Sequence, residues 1–296
     1  MNGSMGHIPV LLQETLEFLD VRPDGVYIDA TVGGGGHAEA ILRKLEGGRL
    51  LGIDRDPEAL ARASARLQAF GEKVVLQRGN FAEIDALHAA SGLPPAHGML
   101  ADLGMSSWQL EDASRGFSFE RSGPLDMRMD PDSSLTAADL VNRSRERDLA
   151  DLIFRLGEER HSRRIARAIV KARPIQTTTS LALVVMRAIP SRTGLHQLHP
   201  ATRTFMALRM AVNQELENLE KFLSRALSVL APSGRLVILS FHSLEDRIVK
   251  QTFYGWRREG RTELLTRKVV RPTEAEVRSN PRSRSARLRA VEKLAA

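Results

Sequence analysis

The chain has 296 residues, 42% of them hydrophobic, and no cysteine, so it can bury one large or two modest cores but can form neither disulfides nor thiolate metal sites. No stretch approaches the roughly 18–20 apolar residues of a membrane span, and the opening Met1-Asn-Gly-Ser-Met-Gly has no hydrophobic core, so neither a membrane protein nor a secretory leader is expected; a cytoplasmic location fits the missing cysteines. The formal net charge of +7 is uneven, with +9 over residues 155–210 and +7 over residues 251–296, both rich in arginine, which favours bidentate phosphate contacts.

The first hundred residues alternate two patterns. Apolar runs at Val26–Ala30, Arg49–Asp54, Val74–Arg78 and Gly98–Asp102 predict strands, and His37–Leu45, Pro57–Ala69 and Ala82–Ala90 predict helices between them. A βαβ rhythm of this kind makes a parallel, doubly wound sheet with right-handed crossovers. It stops near Ser107. From there to Gln214 the sequence predicts no strand, only turns followed by helices: one N-capped by Thr136, then Glu146–Leu156, Ser162–Ala172 and Thr179–Ile189. The expected organisation is a discontinuous α/β domain, residues 1–107 and 214–296, with a helical substrate-recognition domain inserted at 108–213. After the insert come a helix over Glu215–Leu230, a turn at Ala231-Pro-Ser-Gly234 and an apolar strand over Arg235–Phe241. Ser243 is then expected to N-cap a helix, and Ser285–Val291 to form a closing strand.

The first strand ends in an acid and runs into Gly33-Gly-Gly-Gly36-His37. Gly33-x-Gly35-x-x-Ala38 fits the dinucleotide fingerprint loosely, between a strand and a helix, and Asp54 closes the second strand where a ribose-binding acid belongs. An ordinary tight βα turn would look similar in isolation. Asp102 ends the fourth strand, where a carboxylate can accept a hydrogen bond from an amino group or serve as a turn residue. Phe81, just past the third strand, can line an adenine pocket or fill core. Arg160, Arg163, Arg164, Arg167 and Lys171 recur along one predicted helix, and Arg203 follows His199; these cations suit a nucleic-acid backbone or a solvated helix face. His7, His37, His161, His196, His199 and His242 lack the spacing of zinc ligands, so no metal is expected. No nucleophile elbow and no P-loop lysine is present.

Several blocks occur together in order: Gly33-Gly-Gly-Gly-His37, Asp54-Arg-Asp-Pro57, Asp102-Leu-Gly-Met-Ser-Ser107, Arg115-Gly-Phe-Ser-Phe119, Gly123-Pro-Leu-Asp-Met-Arg-Met-Asp130, His199-Pro-Ala-Thr-Arg-Thr-Phe205, Ser240-Phe-His-Ser-Leu-Glu-Asp-Arg247 and Asn280-Pro-Arg-Ser-Arg284. From about His7 to Glu292 the chain resembles the RsmH (MraW) family of bacterial 16S ribosomal RNA cytosine-N4 methyltransferases. The resemblance implies a Rossmann-like methyltransferase fold and S-adenosyl-L-methionine as methyl donor. The product it implies is N4-methylcytidine in the decoding region of the small-subunit RNA. Donor contacts carried over from the family fall on Gly35, Gly36, His37, Asp54, Phe81, Asp102 and Gln109. The family more often has proline where this chain has Trp108.

Cytosine N4 is a poor nucleophile, because its lone pair is delocalised into the ring. The enzyme must align nitrogen, methyl carbon and sulfur and draw the amino group toward tetrahedral geometry with hydrogen-bond acceptors. Asp102 is the expected acceptor, and His242 is a candidate second group for the base. The target base must leave its stack, and Arg163, Arg164, Arg167, Arg203, Arg282 and Arg284 are expected to hold RNA phosphates. The expected partner is 16S ribosomal RNA, within the small ribosomal subunit, with no membrane; a homodimer is a further assembly to test. Two alternatives stand beside this reading: an NAD-dependent oxidoreductase using the same glycine loop, and a non-catalytic RNA-binding assembly factor.

Overall fold

The structure, a computed structural model, describes residues 9–189 and 199–295; His7 and His196 lie outside the described residues. The chain divides into two compact units, Met1–Gly104 with Leu216–Ala296, and Met105–Glu215.

In the first unit, seven strands form one sheet in the order β3-β2-β1-β4-β5-β7-β6. They are β1 (Val26–Asp29), β2 (Arg49–Asp54), β3 (Val74–Arg78), β4 (Ala96–Asp102), β5 (Leu230–Ser240), β6 (Thr262–Leu264) and β7 (Arg287–Lys293). The five strands β1–β5 pair in parallel, and β7 lies antiparallel between β5 and β6. The order reverses between β1 and β4, so the crevice at their carboxyl ends is the topological switch point, where doubly wound sheets bind ligands.

Both faces of the sheet are covered, and the strands alternate in period two. On β5, Leu236 and Ile238 face one core with Ile84, Phe222, Val249 and Phe253. Val237 and Leu239 face the other, with Leu16, Leu19, Ile41, Ala63 and Leu67. The first core is closed by α4 (Ile84–Ser91), α11 (Glu215–Val229) and α12 (Ser243–Arg258). The second is closed by α1 (Leu12–Leu19), α2 (Gly36–Leu42) and α3 (Pro57–Leu67). A short α13 (Glu274–Ser279) lies in the basic C-terminal stretch and ties back to the start of the chain, where Leu11 N–H donates to Glu276 Oε1 at 2.8 Å. The result is a three-layer, Rossmann-like α/β sandwich.

The second unit is helical: α5 (Ser107–Glu111), α6 (Ala137–Arg143), α7 (Glu146–Gly157), α8 (Ser162–Ala172), α9 (Thr178–Ala188) and α10 (Thr202–Val212). Its own core includes Phe117, Met127, Leu149, Ile153, Ile165, Ile169, Leu181, Phe205 and Leu208. Thr136 caps α6 as expected, with Asp139 completing a capping box. Among the described residues no helix is long and apolar enough to cross a membrane.

Two details differ from the sequence expectation. The cap of α12 is His242, not Ser243: its side chain accepts from Leu244 N–H, and Glu245 closes the box. A ring nitrogen can replace the usual hydroxyl because Glu245, one residue earlier than Asp246, sits at the third helical position. The turn Ala231-Pro-Ser-Gly234 is a bulge within β5, since Leu230 pairs with Ala96 and Arg235 already pairs with Gly98. The helices α1, α5, α10 and α13 and the strand β6 carry no prediction from the sequence. Eight residues make α1 short, and α10 buries Thr204, Phe205, Ala207, Leu208, Met210 and Val212, too much of its circumference to leave a polar stripe.

Candidate active site

The carboxyl edge of the parallel strands gathers the acids that end them. Asp29 ends β1, Asp54 ends β2 and Asp102 ends β4. Glu245 joins them electrostatically from the first turn of α12. Asp29 has the same placement as the two acids singled out by sequence, and the same rule finds it: an acid closing an apolar run. Glu245 has no such signal, because its role depends on the chain turning from β5 into α12.

Asp54 organises the glycine loop. Its Oδ2 accepts from Gly33 N–H and its Oδ1 from Asp56 N–H, both at 2.9 Å. Burial pushes its carboxyl upward, and these two N–H donors pull it back. Each oxygen keeps a second lone pair for a ligand hydroxyl. Gly35 caps α2 at φ +80°, a conformation that favours glycine. A Cβ on Gly36 would stand 2.7 Å from the Pro9 ring. A side chain at the end of the loop therefore forces a shift, and the loop leads into a helix N-terminus, where anionic ligand groups are favoured.

His37 is buried on α2. Its Nε2 lies 3.1 Å from the Val10 carbonyl, and its Nδ1 lies 3.6 Å from Asp102 Oδ2. A carbonyl can only accept, so Nε2 carries the proton and Nδ1 turns toward the carboxyl. Asp102 N–H donates to Thr31 Oγ1 at 2.7 Å. Its Oδ1 is buried without a hydrogen-bond partner. Burial pushes the Asp102 carboxyl up to about 8, and the Asp29 and Glu245 carboxylates push the same way. Asp29 rises to about 7, chiefly by burial, against the Thr31 N–H and with Asp54 adding to the rise. A crevice of under-compensated carboxylates attracts a cation, which restores their ionised form.

Phe81 sits past β3, half-buried, its ring 5.1 Å from Phe222 in the first core. His242 Nδ1 is taken by Leu244 N–H at 3.2 Å, so that nitrogen serves the helix cap. The structure thus brings His37, Asp54 and Asp102 to one end of one sheet, beside the glycine loop. Gln109 belongs to the second unit, where its Oε1 accepts from Ser106 N–H at 3.0 Å as the third-position partner of the α5 cap. The neighbouring Trp108 carries the Arg115 guanidinium 5.4 Å above its ring, a cation–π contact that accommodates the larger side chain.

The basic candidates are surface groups. Arg163, Arg164 and Arg167 are exposed on α8, opposite the buried Ile165, Ala166 and Ile169. Arg167 also reaches Glu146 at 3.5 Å. Arg203 is exposed and donates to the Glu158 carbonyl at 2.8 Å, closing the end of α7. Arg282 and Arg284 are exposed on the turn Pro281–Ser285. Among the described residues no group of acids and histidines could hold a metal ion.

Residues 4–294 match the model of the MraW methylase family. The chain is 55% identical to Ribosomal RNA small subunit methyltransferase H of Syntrophobacter fumaroxidans, over 98% of this chain and 97% of that protein. It is 52% identical to the protein of the same name from Symbiobacterium thermophilum, over 98% and 97%, and 53% identical to that from Gloeobacter violaceus, over 97% and 88%.

Proposed function

The chain belongs to the MraW methylase family, and from that premise we propose that it transfers a methyl group from S-adenosyl-L-methionine to the N4 amino group of a cytidine in the decoding region of 16S ribosomal RNA. Neither an NAD-dependent oxidoreductase nor a non-catalytic assembly factor finds support in its relatives. The observation that carries the reading is Asp102: a carboxyl oxygen buried without a partner at the switch-point end of β4, one ring away from the glycine loop through His37.

The residues fit the donor. Asp54 offers lone pairs to ribose hydroxyls beside the Gly33–Gly36 loop. The Asp29, Asp102 and Glu245 carboxylates suit a positively charged centre. Phe81 offers a ring edge for adenine, and Gln109 is a further proposed donor contact from the second unit.

When bound, the donor supplies a methyl carbon activated by its sulfonium. Asp102 accepts a hydrogen bond from the N4 amino group and so localises the nitrogen lone pair toward the methyl carbon. His242 is the second group for the cytosine. The proton that N4 gives up on methylation would pass to solvent or to the Asp102 carboxylate. Arg163, Arg164, Arg167 and Arg203 of the helical unit, with Arg282 and Arg284 of the C-terminal turn, hold phosphates flanking the base. A reaction on ribosomal RNA belongs in the cytoplasm, within or before assembly of the small subunit.

The test is nucleoside mass spectrometry of small-subunit RNA after incubation with the protein and labelled donor. Labelled N4-methylcytidine is expected, and its absence, or label on another nucleoside, refutes the assignment.

A further inference from the structure

A three-ring stack in the helical unit lies outside everything assigned above. Phe205, on α10, is buried in that unit's core at 4% exposure. Phe119 packs edge-on against it, with centroids 4.9 Å apart and planes at 72°. His199 lies over Phe119 at 4.6 Å and 32°, close to an offset stack. His199 is the outermost ring and is exposed, while Phe119 beneath it is half-buried. The His199 ring is also pinned at its edge, because Nδ1 accepts from Ala201 N–H at 3.2 Å. One face of the ring is thus covered by a second ring, while the side chain as a whole is exposed. One helical turn along, the Arg203 guanidinium is itself held on the Glu158 carbonyl.

We propose that His199, backed by Phe119 and Phe205, is a stacking platform for an unpaired nucleobase of the RNA substrate, with Arg203 beside it for the adjoining phosphate. The proposal rests on the RNA-methylating function proposed above and adds a base contact to its phosphate contacts. Single-stranded nucleic acid is held by rings of this kind because every base has a π-face. A ring already packed on a second ring loses little conformational freedom on binding. The exposed arginines of the unit supply the long-range attraction, and the platform supplies the local register.

The competing role is structural: His199 starts the turn into α10, with Thr202 N–H donating to its carbonyl at 2.9 Å. Two variants separate the roles. His199→Asn keeps an acceptor for Ala201 N–H and removes the ring; His199→Phe keeps the ring and removes the acceptor. Affinity for a single-stranded fragment of 16S RNA would be measured across salt concentrations, with donor affinity by calorimetry and melting temperature alongside. The platform predicts that His199→Asn binds RNA about tenfold more weakly, the scale of one base stack. Its salt slope should be unchanged, since stacking releases no counterions, and its donor affinity and melting temperature should match wild type. His199→Phe should bind RNA as wild type does. Wild-type affinity in His199→Asn, or an equal loss in both variants, overturns the proposal. Wild-type protein carries an independent arm: photocrosslinks from 4-thiouridine-substituted RNA should map to residues 115–120 or 199–205, and crosslinks confined elsewhere overturn it. A protein that methylates no RNA fails the broader function instead, which the mass-spectrometric assay reports separately.

Discussion

The two units solve opposite electrostatic problems. In the sheet unit the acids at the strand ends are drawn out of water: Asp102 with an unpartnered oxygen, Asp29 buried, Asp54 tied to the glycine loop. In the helical unit the charges that stand out are the exposed arginines of α8. A small cationic ligand is recognised where charge is scarce and strong, because the low local dielectric magnifies each carboxylate. A long polyanion is recognised where charge is plentiful and weak, through released counterions. Substitutions of the strand-end acids or the glycine loop should therefore leave RNA affinity alone, substitutions of the α8 arginines should leave donor affinity alone, and that separation can be attacked directly.

The largest effect is expected from Asp102→Asn. It keeps the shape and removes the charge that meets the amino group. Single-turnover methyl transfer should slow by about 10²–10³-fold, the range for one preorganised transition-state contact, while RNA affinity stays put. A wild-type rate would remove Asp102 from the reaction.

Next comes pH. In the folded protein Asp102 binds its proton up to about 8, far above the ordinary carboxyl value of 3.8. Between those values the folded state holds a proton that the unfolded chain has released. This site therefore costs stability progressively as pH rises toward 8, and the cost is constant above that. Asp102→Asn should accordingly gain melting temperature relative to wild type as pH rises from 5 to 8. Binding a cationic donor favours the ionised carboxylate, so donor affinity should climb between pH 6 and 8, by at most about tenfold per unit for one proton. Calorimetry in buffers of different ionisation enthalpy should show the proton released, and a flat profile would argue against the acidic crevice.

Gly36→Val is expected to act more modestly and on one side only. Its Cβ meets the Pro9 ring at 2.7 Å, so the loop must shift, at about 1–3 kcal/mol for overpacking. Donor affinity and melting temperature should both fall, with RNA affinity retained; weakened RNA binding would show that the units do not act separately.

The smallest effect is expected from replacing Arg163, Arg164 and Arg167 together by Gln. RNA affinity should drop about tenfold at moderate salt, and the salt slope should shrink by about 0.7 for each single-strand phosphate no longer neutralised. Donor affinity should not change. An unaltered slope would reduce these arginines to a solvated face.

Legibility followed the same divide. The sheet was readable where local pattern and tertiary placement agree. Arg49–Asp54 and Val74–Arg78 fall on the observed strands because short apolar runs alternating with helical patterns have one stable use, the buried strands of a doubly wound sheet. The α8 helix was equally plain, its buried isoleucines spaced between exposed arginines. What stayed hidden depends on partners distant in sequence. Glu245 is a cap partner and an electrostatic neighbour of Asp102 only once α12 follows β5. The His37 contact with Val10, and the His199 stack on Phe119, join residues whose spacing carries no period. The capping role of His242 escaped because serine is the commoner cap, and Ser243 stood next to it.

The strand pair β4–β5, at the middle of the sheet, has the whole of Met105–Glu215 between its members. During synthesis the first four strands leave the ribosome well before β5. At ~5–20 residues per second, translating the intervening unit takes on the order of ten seconds. Throughout that interval β4 is an edge, with Met99, Leu100 and Ala101 later to be fully buried, and an open apolar edge is a template for pairing with another chain. The nascent half-sheet therefore carries an aggregation hazard, and the helical unit, by folding within its own core, shortens the tether that brings β5 home.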